Sequence, residues 1–155
     1  MDKVVLVDKN NNKIGIEDKM IAHTKGLLHR AFSILVYNED REFLLQKRAG
    51  EKYHTPNLWT NTCCSHPFDD ETYSNAVSRR LYEEMGMSCD LFEVFSFIYK
   101  ANLTDNLTEH EHDTVFMGQT NQLPVINESE VSEFRYVSFS DLRIEISNHP
   151  NQFTP

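Results

Sequence analysis

The chain has 155 residues, 39% of them hydrophobic, and a formal net charge of −9. That length is enough for one domain with a single core, and the acidic balance argues against a general binder of nucleic acid or of membrane surfaces, both of which repel it. Its three cysteines stand in no framework spacing, and no run approaches the ~20 apolar residues of a membrane span, so the expectation is a cytoplasmic protein of a reducing compartment.

From the N-terminus, Val4–Val7 reads as a strand entering the turn NNNKIG, where asparagine tolerates left-handed geometry. AHTKGLLH (22–29) reads as a loop feeding a strand. Ala31–Asn38 and Phe43–Arg48 flank the polar turn EDRE and predict a hairpin. The segment 49–59 is a loop, and Trp59–Cys64 is extended. A helix is predicted from Asp70 to Met85, capped by Asp69 or Asp70 and stopped by Gly86, with Tyr73, Ala76, Val77 and Leu81 on its apolar stripe. Strands follow at Phe92–Lys100, His112–Thr120 and Phe134–Phe139, and Ser140 caps a short helix, DLRIEIS. This order predicts an α+β fold, a mixed sheet with helices on its faces, as one domain over residues 1–155.

Two stretches carry chemistry. In TNTCCSHP (60–67) two cysteines stand side by side next to His66. Vicinal cysteines are badly placed for a disulfide, so either one thiol does chemistry or both are small buried hydrophobes. In TEHEHDTVF (108–116) a strand puts Glu109, Glu111 and Asp113 on one face and His110 and His112 on the other. Neighbouring carboxylates repel unless a cation lies between them; solvated charges on an edge strand are the other reading. On the helix, Arg80 lies one turn before Glu84, on the same face.

From Ser65 to Met87 the chain resembles the Nudix box, Gly-x5-Glu-x7-Arg-Glu-U-x-Glu-Glu-x-Gly-U, where U is bulky and apolar. Glu71, Arg79, Leu81, Glu83, Glu84, Gly86 and Met87 match in register. Ser65 stands in place of the glycine, and Arg80 in place of the first glutamate of the metal-binding helix. Replacing a metal-binding carboxylate by a cation disfavours metal-assisted hydrolysis but is compatible with holding a diphosphate. Together with AHTKGLLHRAFS, WTNTCCSHP and YKANLTDNLTEHEHD, this variant box is similar to type I isopentenyl diphosphate isomerase over about Lys19–Phe153.

That resemblance implies interconversion of isopentenyl and dimethylallyl diphosphate, with one proton added and another removed two carbons away. It implies Cys64 as catalytic thiol and Glu111 assisted by Tyr99 as the acid-side group; a strand turning there aims neighbouring thiols in opposite directions, so Cys63 is expected to pack inward. It implies a Zn²⁺ or Mn²⁺ site of His23, His29, His66, Glu109 and Glu111. A Mg²⁺ bound to the substrate diphosphate would meet Glu84 and the backbone carbonyl of Cys64, and the diphosphate itself would meet Lys19, Arg48, Lys52 and Arg80. An aromatic face would stabilise a carbocation by cation–π attraction. Trp59 matches a family aromatic but reads as a packing residue, and the family's further tryptophan would follow HPNQFTP, where the sequence stops, so a truncation at the C-terminus is expected. The expected partner is a small prenyl diphosphate, with no nucleic acid or membrane, and the protein a monomer or weak dimer. The competing readings are a Nudix-type hydrolase of a nucleoside or prenyl diphosphate, and a Nudix-like binding module without catalysis.

Overall fold

The computed structural model describes residues 2–103 and 106–155, so Thr104 and Asp105 of the quoted YKANLTDNLTEHEHD lie outside it. In chain order the elements are β1 (Lys3–Val7), β2 (Lys13–Asp18), α1 (Lys19–Lys25), β3 (His29–Tyr37), β4 (Glu42–Arg48), β5 (Trp59–Thr60), β6 (Cys63–Ser65), α2 (Tyr73–Met85), β7 (Phe92–Asn102), β8 (Thr108–Gln119), β9 (Val131–Ser138) and α3 (Phe139–Asn148). A 3₁₀ turn, Pro150–Gln152, follows. The predicted α+β class with a mixed sheet is what forms. Among the described residues no helix is long and apolar enough to cross a membrane.

The N-terminal segment holds two elements that the sequence reading passed over. The Asp8 carboxylate accepts the amides of Asn10 and Asn12, and Asn11 adopts φ 64°. The chain thus turns early, and KIGIED returns as β2, antiparallel to β1. The expected loop at 22–29 begins inside α1. Asp18 accepts the amides of Met20 and Ile21, and Gly26 closes the helix at φ 63°. Seven residues are too few to show an apolar period, so only the caps mark this helix.

β3 is the central strand. It runs parallel to β8 along its whole length, from His29↔Glu111 to Tyr37↔Gln119. Its other edge pairs with β6, where Ser33 meets Cys64. The predicted hairpin exists, but β3 and β4 are paired only at its tip, Tyr37↔Phe43. Beyond that point β4 turns to β9 and β5. Fully buried Thr62 bridges the splayed strands: its hydroxyl accepts the Val36 amide at 2.9 Å and donates to the Leu44 carbonyl at 2.6 Å. One side chain thereby satisfies two backbone groups that the separation would orphan.

Phe32, Ile34 and Val36 alternate onto one face of β3 and pack with Cys63, Ala76, Val77, Leu81, Met85 and Met87. α2 starts at Tyr73, later than predicted, and Thr72 caps it rather than Asp69 or Asp70. The reason is local. Glu71 accepts the Phe68 amide and a two-pronged contact from Arg79, which holds 68–72 as a turn. At Gly86, φ is 62° and an added Cβ would lie 2.5 Å from the Val125 carbonyl oxygen, so only glycine fits. β8 begins at Thr108, before the expected His112. α3 is capped by Ser138, not Ser140, since β9 runs directly into it and the Ser138 hydroxyl accepts the Asp141 amide.

Candidate active site

The face of β3 opposite the core opens onto a cavity of about 540 Å³. Alternation along β7 and β8 sends Tyr99, Phe97 and Phe95 to this side, paired in register with Glu111, Asp113 and Val115. Cys64 reaches it from β6, on the far edge of β3. All four expected cations line it: Lys19 opens α1, Arg48 ends β4, Lys52 lies in the loop beyond, and Arg80 projects from α2.

The four histidine and glutamate positions His23, His29, His66 and Glu111 converge: one donor atom from each lies within 4.8 Å of the others. The His23 Nδ1 is 2.7 Å from the Lys19 carbonyl, and the His29 Nδ1 is 2.8 Å from the Leu27 carbonyl. A carbonyl only accepts, so each Nδ1 carries the proton and each Nε2 presents a lone pair. Both rings are fully buried and both Nε2 atoms lack a hydrogen-bond partner. His66 Nε2 lies 3.1 Å and His29 Nε2 3.5 Å from Glu111 Oε1. Burial lowers the His23 pKa and pushes that of His66 down to about 4, leaving His66 neutral at pH 7.

Glu109 lies apart from that group. It joins a second one, His23, His54 and Glu109, that shares His23. The Tyr99 hydroxyl sits against both carboxylates, 2.7 Å from Glu111 Oε2 and 3.0 Å from Glu109 Oε2. Burial and then the Glu111 charge push Glu109 up to about 7. A buried and a half-buried carboxylate side by side, with unpartnered imidazole lone pairs near them, offer donors that fit a divalent ion. His110 is held elsewhere, its Nδ1 donating to the Gly26 carbonyl at the end of α1.

The two cysteines part as expected. Cys63 is wholly buried in the core, while the half-buried Cys64 lines the cavity. The Asn61 amide is oriented by its own donors, which reach the carbonyls of Ile34 and Cys63, so its oxygen faces Cys64 and accepts the S–H. Burial, then the Asp113 charge, pushes the thiol up to about 12, so Cys64 is protonated at rest. Its sulfur belongs to neither histidine–glutamate group.

At the cationic end, Arg80 contacts Glu83, Glu84 and Glu130, and Lys52 contacts Glu130. The Nε atoms of Arg48 and Arg80 are nonetheless buried without a partner, and burial lowers the pKa of Lys19 and Lys52. Crowded cations with unsatisfied N–H groups have donors to spare for an anion. Glu84 is 4% exposed and accepts from Gln46 Nε2 at 2.7 Å, apart from the imidazoles and among the cations.

Trp59 stays out of the cavity lining. It packs against Arg135, whose guanidinium lies 4.6 Å from the ring centroid, and its backbone meets Phe153 and Thr154. The cavity's aromatic wall is instead Phe95, Phe97 and Tyr99, with centroids 6.0 and 5.6 Å apart in succession. The sequence reading missed Phe95, Phe97, His54 and Asn61. The alternation F-x-F-x-Y in 95–99 was the available signal for the wall; nothing short-range marks His54.

The NUDIX domain family matches residues 27–155. The chain is 50% identical to a Photorhabdus laumondii protein named isopentenyl-diphosphate Delta-isomerase 2, over 99% of this chain and 88% of that one. It is 46% identical to isopentenyl-diphosphate Delta-isomerase 1 of Aromatoleum aromaticum, over 99% and 86%. Among solved structures, a Deinococcus radiodurans protein superposes with a TM-score of 0.78 at 16% identity, covering 96% of this chain and 90% of that one. A MutT protein from Methanosarcina mazei gives 0.62 at 21% identity, covering 74% and 80%. At those identities the structures speak for the fold alone. With half its residues shared along nearly its full length, this chain belongs to the isopentenyl-diphosphate Delta-isomerase family of NUDIX domains.

Proposed function

We propose that this protein interconverts isopentenyl diphosphate and dimethylallyl diphosphate. The observation that carries the reading is one cavity that combines a half-buried cationic end, an aromatic wall, and proton-bearing groups reaching it from strands at opposite edges of β3. Lys19, Arg48, Lys52 and Arg80 would bind the diphosphate, the unsatisfied Nε–H groups of Arg48 and Arg80 gaining acceptors. The five-carbon chain would then lie along Phe95, Phe97 and Tyr99, whose ring faces attract the tertiary cation formed when the alkene is protonated.

Cys64 and the Tyr99–Glu111 pair are the groups that exchange protons with the substrate. A proton adds to the terminal alkene carbon from one group and leaves the carbon two positions away to the other. Because the reaction is reversible, each is donor in one direction and acceptor in the other. Both lie in surroundings dry enough to raise the Cys64 and Tyr99 proton affinities, and a water-poor cavity prevents capture of the cation by water. Asn61 holds the Cys64 S–H in place.

His23, His29, His66, Glu109 and Glu111 would hold a divalent ion, which would fix Glu111 in place and tune its acidity; imidazole with carboxylate suits Zn²⁺ or Mn²⁺. A Mg²⁺ arriving with the diphosphate would meet Glu84 and the Cys64 carbonyl. Arg80 beside Glu84 counts against diphosphate hydrolysis, which gathers metal on carboxylates at that turn.

The test is incubation with isopentenyl diphosphate, Mg²⁺ and Zn²⁺ or Mn²⁺ in heavy water. Dimethylallyl diphosphate carrying deuterium is expected; release of phosphate without isomerisation would sink the reading.

A further inference from the structure

We propose that His54 is a fourth imidazole donor to the divalent ion, joined to the centre through His23 and Glu109. The inference rests on the metal site proposed above and extends it to a residue outside the ligand set that the family resemblance implies.

His54 lies in the loop between β4 and β5. That loop is closed by backbone bonds from Asn57 to the Arg48 carbonyl and from Arg48 to the Leu58 carbonyl, and Arg48 Nη2 donates to the His54 carbonyl at 3.3 Å. Thr55 takes φ 44° in turning the chain, a left-handed conformation unusual for a β-branched residue. The result is a histidine that is 8% exposed and packs 5.7 Å, centroid to centroid, from His23.

The distances argue for an ion. His54 Nε2 is 3.8 Å from Glu109 Oε1, too far for a hydrogen bond. Two donors bound to one ion at about 2.0–2.2 Å lie about 3 Å apart when adjacent and about 4.2 Å apart when opposed. The Glu109–His54 spacing falls in that interval, as does His29–Glu111 at 3.5 Å. The His54 Nδ1 is 3.0 Å from the Thr55 hydroxyl, which can accept its proton and free Nε2 as a donor.

His23 ties the two groups together. Its Nε2 is buried without a partner, its Nδ1 is engaged by the Lys19 carbonyl, and His23 belongs to both groups. A single lone pair serves a single ion, so the two groups describe one centre rather than two. Counted together they offer four imidazoles and two carboxylates; the two groups share only His23 and do not close into one set within 4.8 Å, so a bound ion would draw His54 and Glu109 toward the other donors. The added nitrogen tilts the preference toward Zn²⁺, Co²⁺ or Cu²⁺ and away from Mg²⁺.

The experiment uses the full chain, stripped of metal and reloaded with Cu²⁺ for electron paramagnetic resonance and with Zn²⁺ for competition against a chelator. The parent protein should show four coupled imidazole nitrogens. His54→Gln should show three, with Zn²⁺ bound about tenfold or more weakly. Circular dichroism establishes that the variant folds; if it does not, the nitrogen count of the parent decides. Three nitrogens in the parent, or an unchanged count in the variant even with weaker binding, overturns the assignment and leaves His54 a neighbour of Glu109. A parent protein that binds no metal overturns the centre itself, a separate result.

Discussion

Tyr99 faces Glu111 across the β7–β8 ladder, and its hydroxyl donates to Glu111 Oε2 at 2.7 Å while lying 3.0 Å from Glu109 Oε2. One phenol thus serves two carboxylates in a cavity where Phe97 stacks behind it. Tyr99→Phe keeps the ring and removes only the proton-bearing oxygen. The expected loss is roughly 10²–10⁴-fold in kcat, the range of a general acid or base, with KM little changed. Steady-state rates of dimethylallyl diphosphate formation check it, and equal losses in kcat and binding would assign Tyr99 to substrate contact instead.

The neighbouring thiols should separate cleanly. Cys64→Ala is expected to abolish turnover and leave metal content intact. Cys63→Ala, in the core, should cost about 1 kcal/mol of stability and little rate. Metal analysis, rates and denaturant melts on both variants provide the comparison, and the reverse pattern would reassign the catalytic sulfur.

Burial holds the Cys64 thiol at about 12. The thiolate is what an alkylating agent meets, so modification by iodoacetamide should be slow at pH 8 and climb about tenfold per pH unit toward 12. The linkage sign follows. The folded pKa lies above the unfolded value, so between about pH 9 and pH 12 the native state holds the proton that the unfolded chain releases, and stability falls as pH rises through that window. Rapid alkylation of Cys64 at neutral pH in the folded protein would contradict this.

Arg80 contacts Glu84 from the adjacent helical turn, with its Nε buried and unpaired. Arg80→Gln should raise KM for the diphosphate by about tenfold to a hundredfold, the worth of one charged hydrogen bond. Arg80→Lys restores the charge without the planar fork and should recover only part of it. Binding that is indifferent to both changes would remove Arg80 from the diphosphate site.

A chelator should destabilise the protein as well as silence it, because the buried His23 and His29 Nε2 atoms have no other partner. An ion present at a hundred times its Kd contributes about 2.7 kcal/mol, or about 5–10 °C in Tm for a chain of this length. Thermal melts before and after metal removal measure it; identical melts would count against a tightly held ion.

Local signals carried much of this protein. The strand alternation of 108–116, the apolar stripe of α2 and the glycine at 86 are short-range patterns, and the spacing of TNTCCSHP and of the variant box placed it in a family of known chemistry. Where the reading slipped, the competing interaction was non-local or too brief to show a period: the Glu71–Arg79 clamp delayed α2, Ser138 capped α3 from the end of a strand, and seven residues of α1 looked like loop.

The sequence by itself determined the family, most of the strands and α2, and which residues of 108–116 share a face, because these depend on residue type and a period of two or 3.6. Tertiary structure alone decided who meets whom. The parallel pairing of β3 with β8 brought His29 against Glu111 across 82 positions of chain. β3 and β4 pair only at Tyr37↔Phe43, leaving the rest of that edge of β3 to β6 and Cys64, and the closed loop after Arg48 places His54 3.8 Å from Glu109. Such contacts are products of chain topology and packing, which no window of neighbouring residues contains.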